Sequence, residues 1–177
     1  MDLLENRFAV SNTVGIYQRF IEKEFEIRVT AIGNHLFASK IIPPDHELSK
    51  IDWRATQEKM RLEPFDLPQK ISNQCISLMN KLGIVFGCFD FAIKDSTYTL
   101  FEVNEMGQFL WMEELCPEIR LLDAFCQLLT ERSVDFKIKN NTKINTKNYY
   151  DSEQFIINRD ARKALHVGIE NRFTINE

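Results

Sequence analysis

Two runs constrain the fold of this chain most: Phe89-Asp90-Phe91-Ala92-Ile93, and Phe101-Glu102-Val103-Asn104-Glu105-Met106-Gly107-Gln108-Phe109. Both carry the period of two expected of β-strands, with Asp95-Ser96-Thr97 between them as a turn. Glu102 and Asn104 therefore share one face, while Phe101 and Val103 turn into a core. Asp90 is out of phase with Phe89, Phe91 and Ile93. If Asp95, Ser96 and Thr97 form a three-residue loop, Lys94 faces Tyr98 and Asp90 stands directly across from Glu102. A two-residue loop would put the two acids on opposite faces.

Like charges opposed across a sheet are destabilising, and a divalent cation offsets that repulsion. Magnesium takes oxygen ligands, usually one or two carboxylates with nucleotide phosphates, and the amide oxygen of Asn104 supplies a third, neutral ligand. A bound cation also removes the repulsion that would raise one carboxylate's pKa. The plainer reading is the exposed polar face of an ordinary amphipathic hairpin, so the flanking sequence must decide.

Upstream, residues 13 to 21 are β-branched and aromatic, ending in Gln18-Arg19-Phe20-Ile21. In residues 25 to 32, Ile27, Val29 and Ala31 alternate with Arg28, Thr30 and Ile32, predicting a strand. Gly33-Asn34 signals a hairpin turn, His35 to Ile42 the returning strand, and Pro43-Pro44-Asp45 its end. A polar stretch containing Asp52-Trp53-Arg54 follows. Leu67-Pro68 opens a helix with Ile71, Cys75, Leu78, Met79 and Leu82 on one face, and Gly83 is placed to cap it. Ile84 to Lys94 and Tyr98 to Asn104 are the strands of the acidic hairpin. A second helix begins at Pro117, with Ile119, Leu122, Cys126 and Leu129 on one stripe. Beyond Arg132 the chain turns polar, reading as a linker or exposed hairpin and a tail with a short helix near Arg159 to Leu165. The expected division is a folded unit over 1–132 and a polar linker and tail over 133–177.

The 177 residues suffice for one domain with a real core. Hydrophobic content of 44% and charged content of 27% suit a soluble globular chain, and fourteen Phe suit a packed core. A net charge of −4 argues against a dedicated nucleic-acid surface. No apolar run approaches the roughly 20 residues of a membrane span, and the first residues lack the order of a signal peptide. Cys75, Cys88, Cys116 and Cys126 show neither a CxxC pair nor metal spacing, so they read as reduced core thiols of a cytoplasmic protein. His35, His46 and His166 are scattered and receive no role.

Taken together, Asp90 with Glu102-Val103-Asn104, Gln18-Arg19-Phe20-Ile21, Glu26-Ile27-Arg28-Val29 and the helix from Leu67 to Leu82 resemble the second lobe of the ATP-grasp superfamily. Glu26-Ile27-Arg28-Val29, Asp52-Trp53-Arg54 and Glu102-Val103-Asn104-Glu105-Met106-Gly107-Gln108-Phe109-Leu110-Trp111 are similar to a narrower branch. That branch is the ATP-grasp peptide maturases, including the graspetide (microviridin-type) synthetases. The resemblance covers roughly residues 14 to 130. It implies an α+β fold, a mainly antiparallel sheet flanked by two helices. It also implies an ATP- and Mg2+-dependent ligase that activates a carboxylate as an acylphosphate, from which a hydroxyl or amine displaces phosphate. On the matching positions, Asp90, Glu102 and Asn104 would hold magnesium, Gln18 and Phe20 would offer backbone groups to adenine, and Glu26 would accept from a ribose hydroxyl. Arg28 and Arg54 would meet phosphate or the activated carboxylate. Plainer roles stand beside these: Arg28 pairing a neighbouring acid, Trp53 packing, Glu26 as a surface acid, and Gln108 capping a turn or touching substrate.

The family's fold also has a preceding domain and a first lobe whose lysines close over the phosphates. The 17 residues before Gln18 hold no lysine and no glycine-rich loop, so the expectation is a half-site lacking its N-terminal lobe. Three readings stay open. One is a half of a ligase acting on a ribosomal precursor peptide, completed by a complementing lobe or a homo-oligomer. The second is a catalytically inactive module that binds a peptide or partner protein, and the third is a structural or interaction protein in which the triad is coincidence.

Overall fold

The computed structural model describes residues 19–45, 53, 60–139 and 144–170, the last seven by backbone only. Five strands form one antiparallel sheet in the order β3-β2-β1-β4-β5. They are β1 (Phe25–Ile32), β2 (His35–Ile42), β3 (Arg61–Pro64), β4 (Phe86–Lys94) and β5 (Thr97–Asn104). Among the described residues the helices are α1 (Gln69–Leu82), α2 (Leu110–Leu115), α3 (Leu121–Glu131), α4 (Thr146–Tyr150) and α5 (Glu153–Glu170). The fold is α+β, as expected.

The alternation of β1 sorts its residues between two cores. Ile27, Val29 and Ala31 pack with Phe89, Phe91 and Ile93 of β4 against Cys75 and Met79 of α1. Ile32 and Ile41, on the other face, pack with Met112 of α2 and with Leu121, Ala124 and Leu128 of α3. α1 runs between the expected punctuation marks. The Pro68 carbonyl accepts from Ile71 N and Ser72 N at 2.9 and 3.0 Å. Gly83 takes a left-handed φ of 69°, and Ile84 N returns to the Met79 carbonyl at 3.1 Å.

The acidic hairpin reaches its expected register by an unexpected route. Its loop has two residues, not three, with Lys94 opposite Thr97. Asp95 and Ser96 both take positive φ, 47° and 59°, the backbone of a two-residue hairpin turn. Alone, that loop would put the acids on opposite faces. The register then shifts, pairing Phe91 with Leu100 but Asp90 with Glu102. Phe101 is thus the extra residue of a β-bulge, and the bulge restores the facing of Asp90 and Glu102.

Other expectations are corrected. Of the β-branched and aromatic stretch 13 to 21, residues 19–21 lie in irregular backbone, and 13–18 lie outside the described residues. In α3 the buried residues are Leu121, Asp123, Ala124, Gln127 and Leu128, while Leu129 is exposed. The stripe is rotated because Asp123 finds partners inside: Gln127 Nε2 donates to its Oδ1 at 2.9 Å, and Arg120 Nη2 ion-pairs with its Oδ2 at 3.1 Å. The stretch after Arg132 packs on the sheet domain. Asn34 N donates to the Val134 carbonyl at 2.8 Å, and His35 Nε2 lies 2.7 Å from the Phe136 carbonyl. The buried carboxylate of Glu113 accepts from Leu122 N at 2.7 Å and Thr146 N at 2.8 Å, holding the starts of α3 and α4 together. The tail helix is α5, longer than the short one expected. All four cysteines are free, and burial pushes the thiols of Cys75 and Cys116 up to about 11.

Gly33 carries the closest approach. Its φ is 56°, and an added Cβ would stand 2.4 Å from the Val134 carbonyl oxygen. Gly33→Ala is expected to lower the unfolding free energy by at least about 2 kcal/mol, from backbone strain plus the clash. A urea midpoint equal to the parent's would refute this packing of the hairpin tip.

Candidate functional site

Strand register lays polar side chains in parallel rows on the face opposite α1. One row runs Ser39, Arg28, Asp90, Glu102 across β2, β1, β4 and β5. The next runs Phe37, Thr30, Cys88, Asn104, and the row on the other side runs Ile41, Glu26, Ala92. The rows lie between apolar residues and are largely covered, yet Glu102 and Asn104 on edge strand β5 remain exposed.

At the centre Arg28 and Asp90 form a buried ion pair, 6% and 3% exposed. Arg28 Nη1 donates to both Asp90 oxygens, at 2.9 and 3.0 Å, and Nη2 donates to the Gln108 carbonyl at 3.0 Å. The guanidinium lies over the Trp111 ring, 5.7 Å from its centroid. Trp111 in turn packs on Trp53 at 5.6 Å, so Trp53 backs the ring that meets Arg28. Thr30 Oγ1 donates to Met112 Sδ at 3.2 Å, fixing α2 above the face. Burial pushes the Cys88 thiol up, against the nearby Arg28 charge.

The loop after β5 crosses this face closely. A Cβ on Gly107 would stand 3.0 Å from Arg28 Nη2 and 3.2 Å from both Asn104 Cγ and Cys88 Cβ. Asn104 Oδ1 accepts from Met106 N at 3.0 Å, which leaves that amide oxygen a second lone pair.

The sequence-derived candidates thus divide. Arg28, Asp90, Glu102 and Asn104 come together in two adjacent rows. Glu26 lies one row away, buried and ion-paired with Lys23 at 3.0 Å. It lines a cavity of about 350 Å³ with Lys23, Lys40, Ile41, Pro43 and Trp53. Phe20 is 61% exposed in irregular backbone. Gln18 and Arg54 lie outside the described residues. Sequence reasoning missed Gly107, the Gln108 carbonyl and Trp111 as the surroundings of Arg28.

The donor set suits magnesium better than a transition metal. Among the described residues no group of three or more His, Cys, Asp or Glu could hold an ion. Two facing carboxylates and an amide oxygen are hard, partial ligation, the kind magnesium completes with phosphate and water. Arg28→Met, which takes the guanidinium from Asp90, is expected to cost about 3–5 kcal/mol of stability. Adding Asp90→Leu should recover much of that loss. Equal urea stability of the single and double variants would rule out a buried pair at this position.

No family model matches the sequence, and no curated protein matches it. Solved structures do. A RiPP-associated ATP-grasp ligase of Chryseobacterium gregarium, in complex with ADP and a leader and core peptide, is 28% identical with a TM-score of 0.59. The match covers 69% of this chain and 38% of that one. The macrocyclase MdnC of Microcystis aeruginosa MRC, bound with precursor peptide MdnA, is 28% identical with a TM-score of 0.53, covering 64% and 35%. The ATP-grasp ligase PsnB, complexed with a variant of its minimal precursor, Mg and ADP, shares the fold at 18% identity and a TM-score of 0.53, covering 63% and 34%. The matched part is therefore well under half of each of these proteins. The fold of this chain is of the ATP-grasp RiPP-maturase type.

Proposed function

We propose that this chain, which has the ATP-grasp RiPP-maturase fold, is the metal- and nucleotide-binding half of an ATP-dependent ligase that joins carboxylates to amines or hydroxyls. Its substrate is a ribosomal precursor peptide. The observation that carries the reading is the row in which Asp90 and Glu102 face one another beside Asn104, with Arg28 behind them. Within the reading, residues 1–132 form the C-terminal lobe and 133–177 its appended segment. A complementing lobe, or a second copy, closes the site from the other side.

Asp90, Glu102 and Asn104 would hold Mg2+. When bound, Mg-ATP would supply its γ-phosphoryl group to a peptide carboxylate with ADP as the leaving group, and an amine or hydroxyl would then displace phosphate from the acylphosphate. The chain's own residues position and neutralise. Arg28 anchors Asp90 and sets a positive charge beside the anions. Glu26, in its cavity, would accept from a ribose hydroxyl, and the backbone of Gln18 and Phe20 would border the adenine. Arg54 would share the anions with Arg28. A second reading, a catalytically inactive module that binds a peptide or partner protein, is favoured by one observation: Arg28 already neutralises Asp90 at 2.9 Å.

Calorimetric titration of the purified chain with ADP and Mg2+, alone and with a complementing lobe, tests the ligase reading. Saturable, Mg2+-dependent binding is expected, weakened about tenfold or more by Glu102→Ala. Binding that ignores Mg2+ and survives both Glu102→Ala and Asn104→Ala would refute it.

A further inference from the structure

Arg28 distributes its donors unevenly. A guanidinium commonly meets a carboxylate through two nitrogens in parallel. Here Nη1 alone spans both oxygens of Asp90. The Gln108 carbonyl holds Nη2 at 3.0 Å, and the same carbonyl accepts from Trp111 Nε1 at 3.1 Å. Below the guanidinium lies the Trp111 ring, backed by Trp53. This clamp keeps the guanidinium from turning its Nε edge toward Asp90.

As a result, Arg28 Nε–H is buried without a hydrogen-bond partner among the described residues. Directly opposite, in the β1–β2 register, stands Ser39. It is 0% exposed, and its Oγ is likewise unbonded. Opposed residues on one face have Cβ atoms about 5 Å apart. Buried donors are almost always satisfied, and two on opposed residues of one sheet face suit a shared acceptor. The adjoining row on that face, Ile41 and Glu26, lines the 350 Å³ cavity with Trp53.

We propose that Arg28 Nε–H and Ser39 Oγ–H form a donor pair for one oxygen of a bound oxyanion, and that Trp111 is the positioning residue that withholds Arg28 Nε from Asp90. The inference rests on the reading of Arg28 as an anion-facing residue and extends it to Ser39 and Trp111. The shared chemistry is an oxygen with two free lone pairs, from a phosphate or a carboxylate.

The test is nuclear magnetic resonance of the full chain with 15N-labelled arginine, following the Arg28 Nε–H signal during titration with inorganic phosphate and, separately, acetate. A saturable displacement is expected, and the anion that binds more tightly tells a phosphate site from a carboxylate site. Ser39→Ala should weaken that binding about fivefold, while Ser39→Thr retains it. In Trp111→Leu the signal should be displaced before any anion is added and respond to none, and Trp111→Phe should restore the response. A signal unmoved by both anions, or a Ser39→Ala titration matching the parent's, would overturn the proposal. Should Mg-ADP bind while the signal stays still, this inference alone fails. Should the signal answer phosphate in a chain that binds no Mg-ADP, the ligase reading fails and the donor pair stands.

Discussion

The buried Arg28–Asp90 pair organises the sheet's polar face. It joins the central strand β1 to its neighbour β4. Such a pair adds little net stability, because desolvation offsets the attraction between the charges. It does dictate what must surround it. The remaining guanidinium donors need acceptors, which brings the Gln108 carbonyl onto Nη2. The flat cation needs a polarisable floor, and Trp111 supplies one. The loop that delivers both passes so close that a Cβ at position 107 would crowd Arg28 Nη2 at 3.0 Å. One charge pair thereby locates the 105–109 loop and the start of α2.

Where local chemistry decides structure, the chain was readable. Gly33-Asn34 between two alternating runs specified the β1–β2 hairpin, and Pro68 and Gly83 bracketed α1. The failures came where distant contacts overrode local pattern. A buried Asp123 reads as surface until Gln127 and Arg120 are seen beside it. The four residues of β3 are too few and too polar to announce a strand, and they become one by pairing with β2. In β5 a clue was present: Leu100 and Phe101 are consecutive apolar residues in an otherwise alternating run, which marks a bulge.

The same division runs through the candidate site. Acids and amide on one face follow from strand phase, so Asp90, Glu102 and Asn104 were nameable before any coordinates. Their relation to Arg28 depends on a pairing 62 residues apart, which no local pattern encodes. The Gln108 carbonyl carries no side-chain signature at all. Trp111 stood in a recognisable motif, but its place under a cation depends on how α2 crosses the sheet. The hydrophobic pattern thus foretold the scaffold, and the long-range polar contacts made it a site.

The bulge at Phe101 has a consequence for how this hairpin can vary in length. Turn and bulge together set the strand phase that keeps Asp90 opposite Glu102. A residue added to the turn lengthens the loop and leaves every pairing on the two strands in place, and loss of Phe101 itself would remove the bulge with the acids still opposed. A residue added or lost inside the paired runs, between Phe91 and Lys94 or between Thr97 and Leu100, swings one acid to the helix-covered side unless the turn or the bulge absorbs it. Length variation in this hairpin is therefore tolerable at its turn and its bulge, which act as the two slack points of an otherwise fixed pleat.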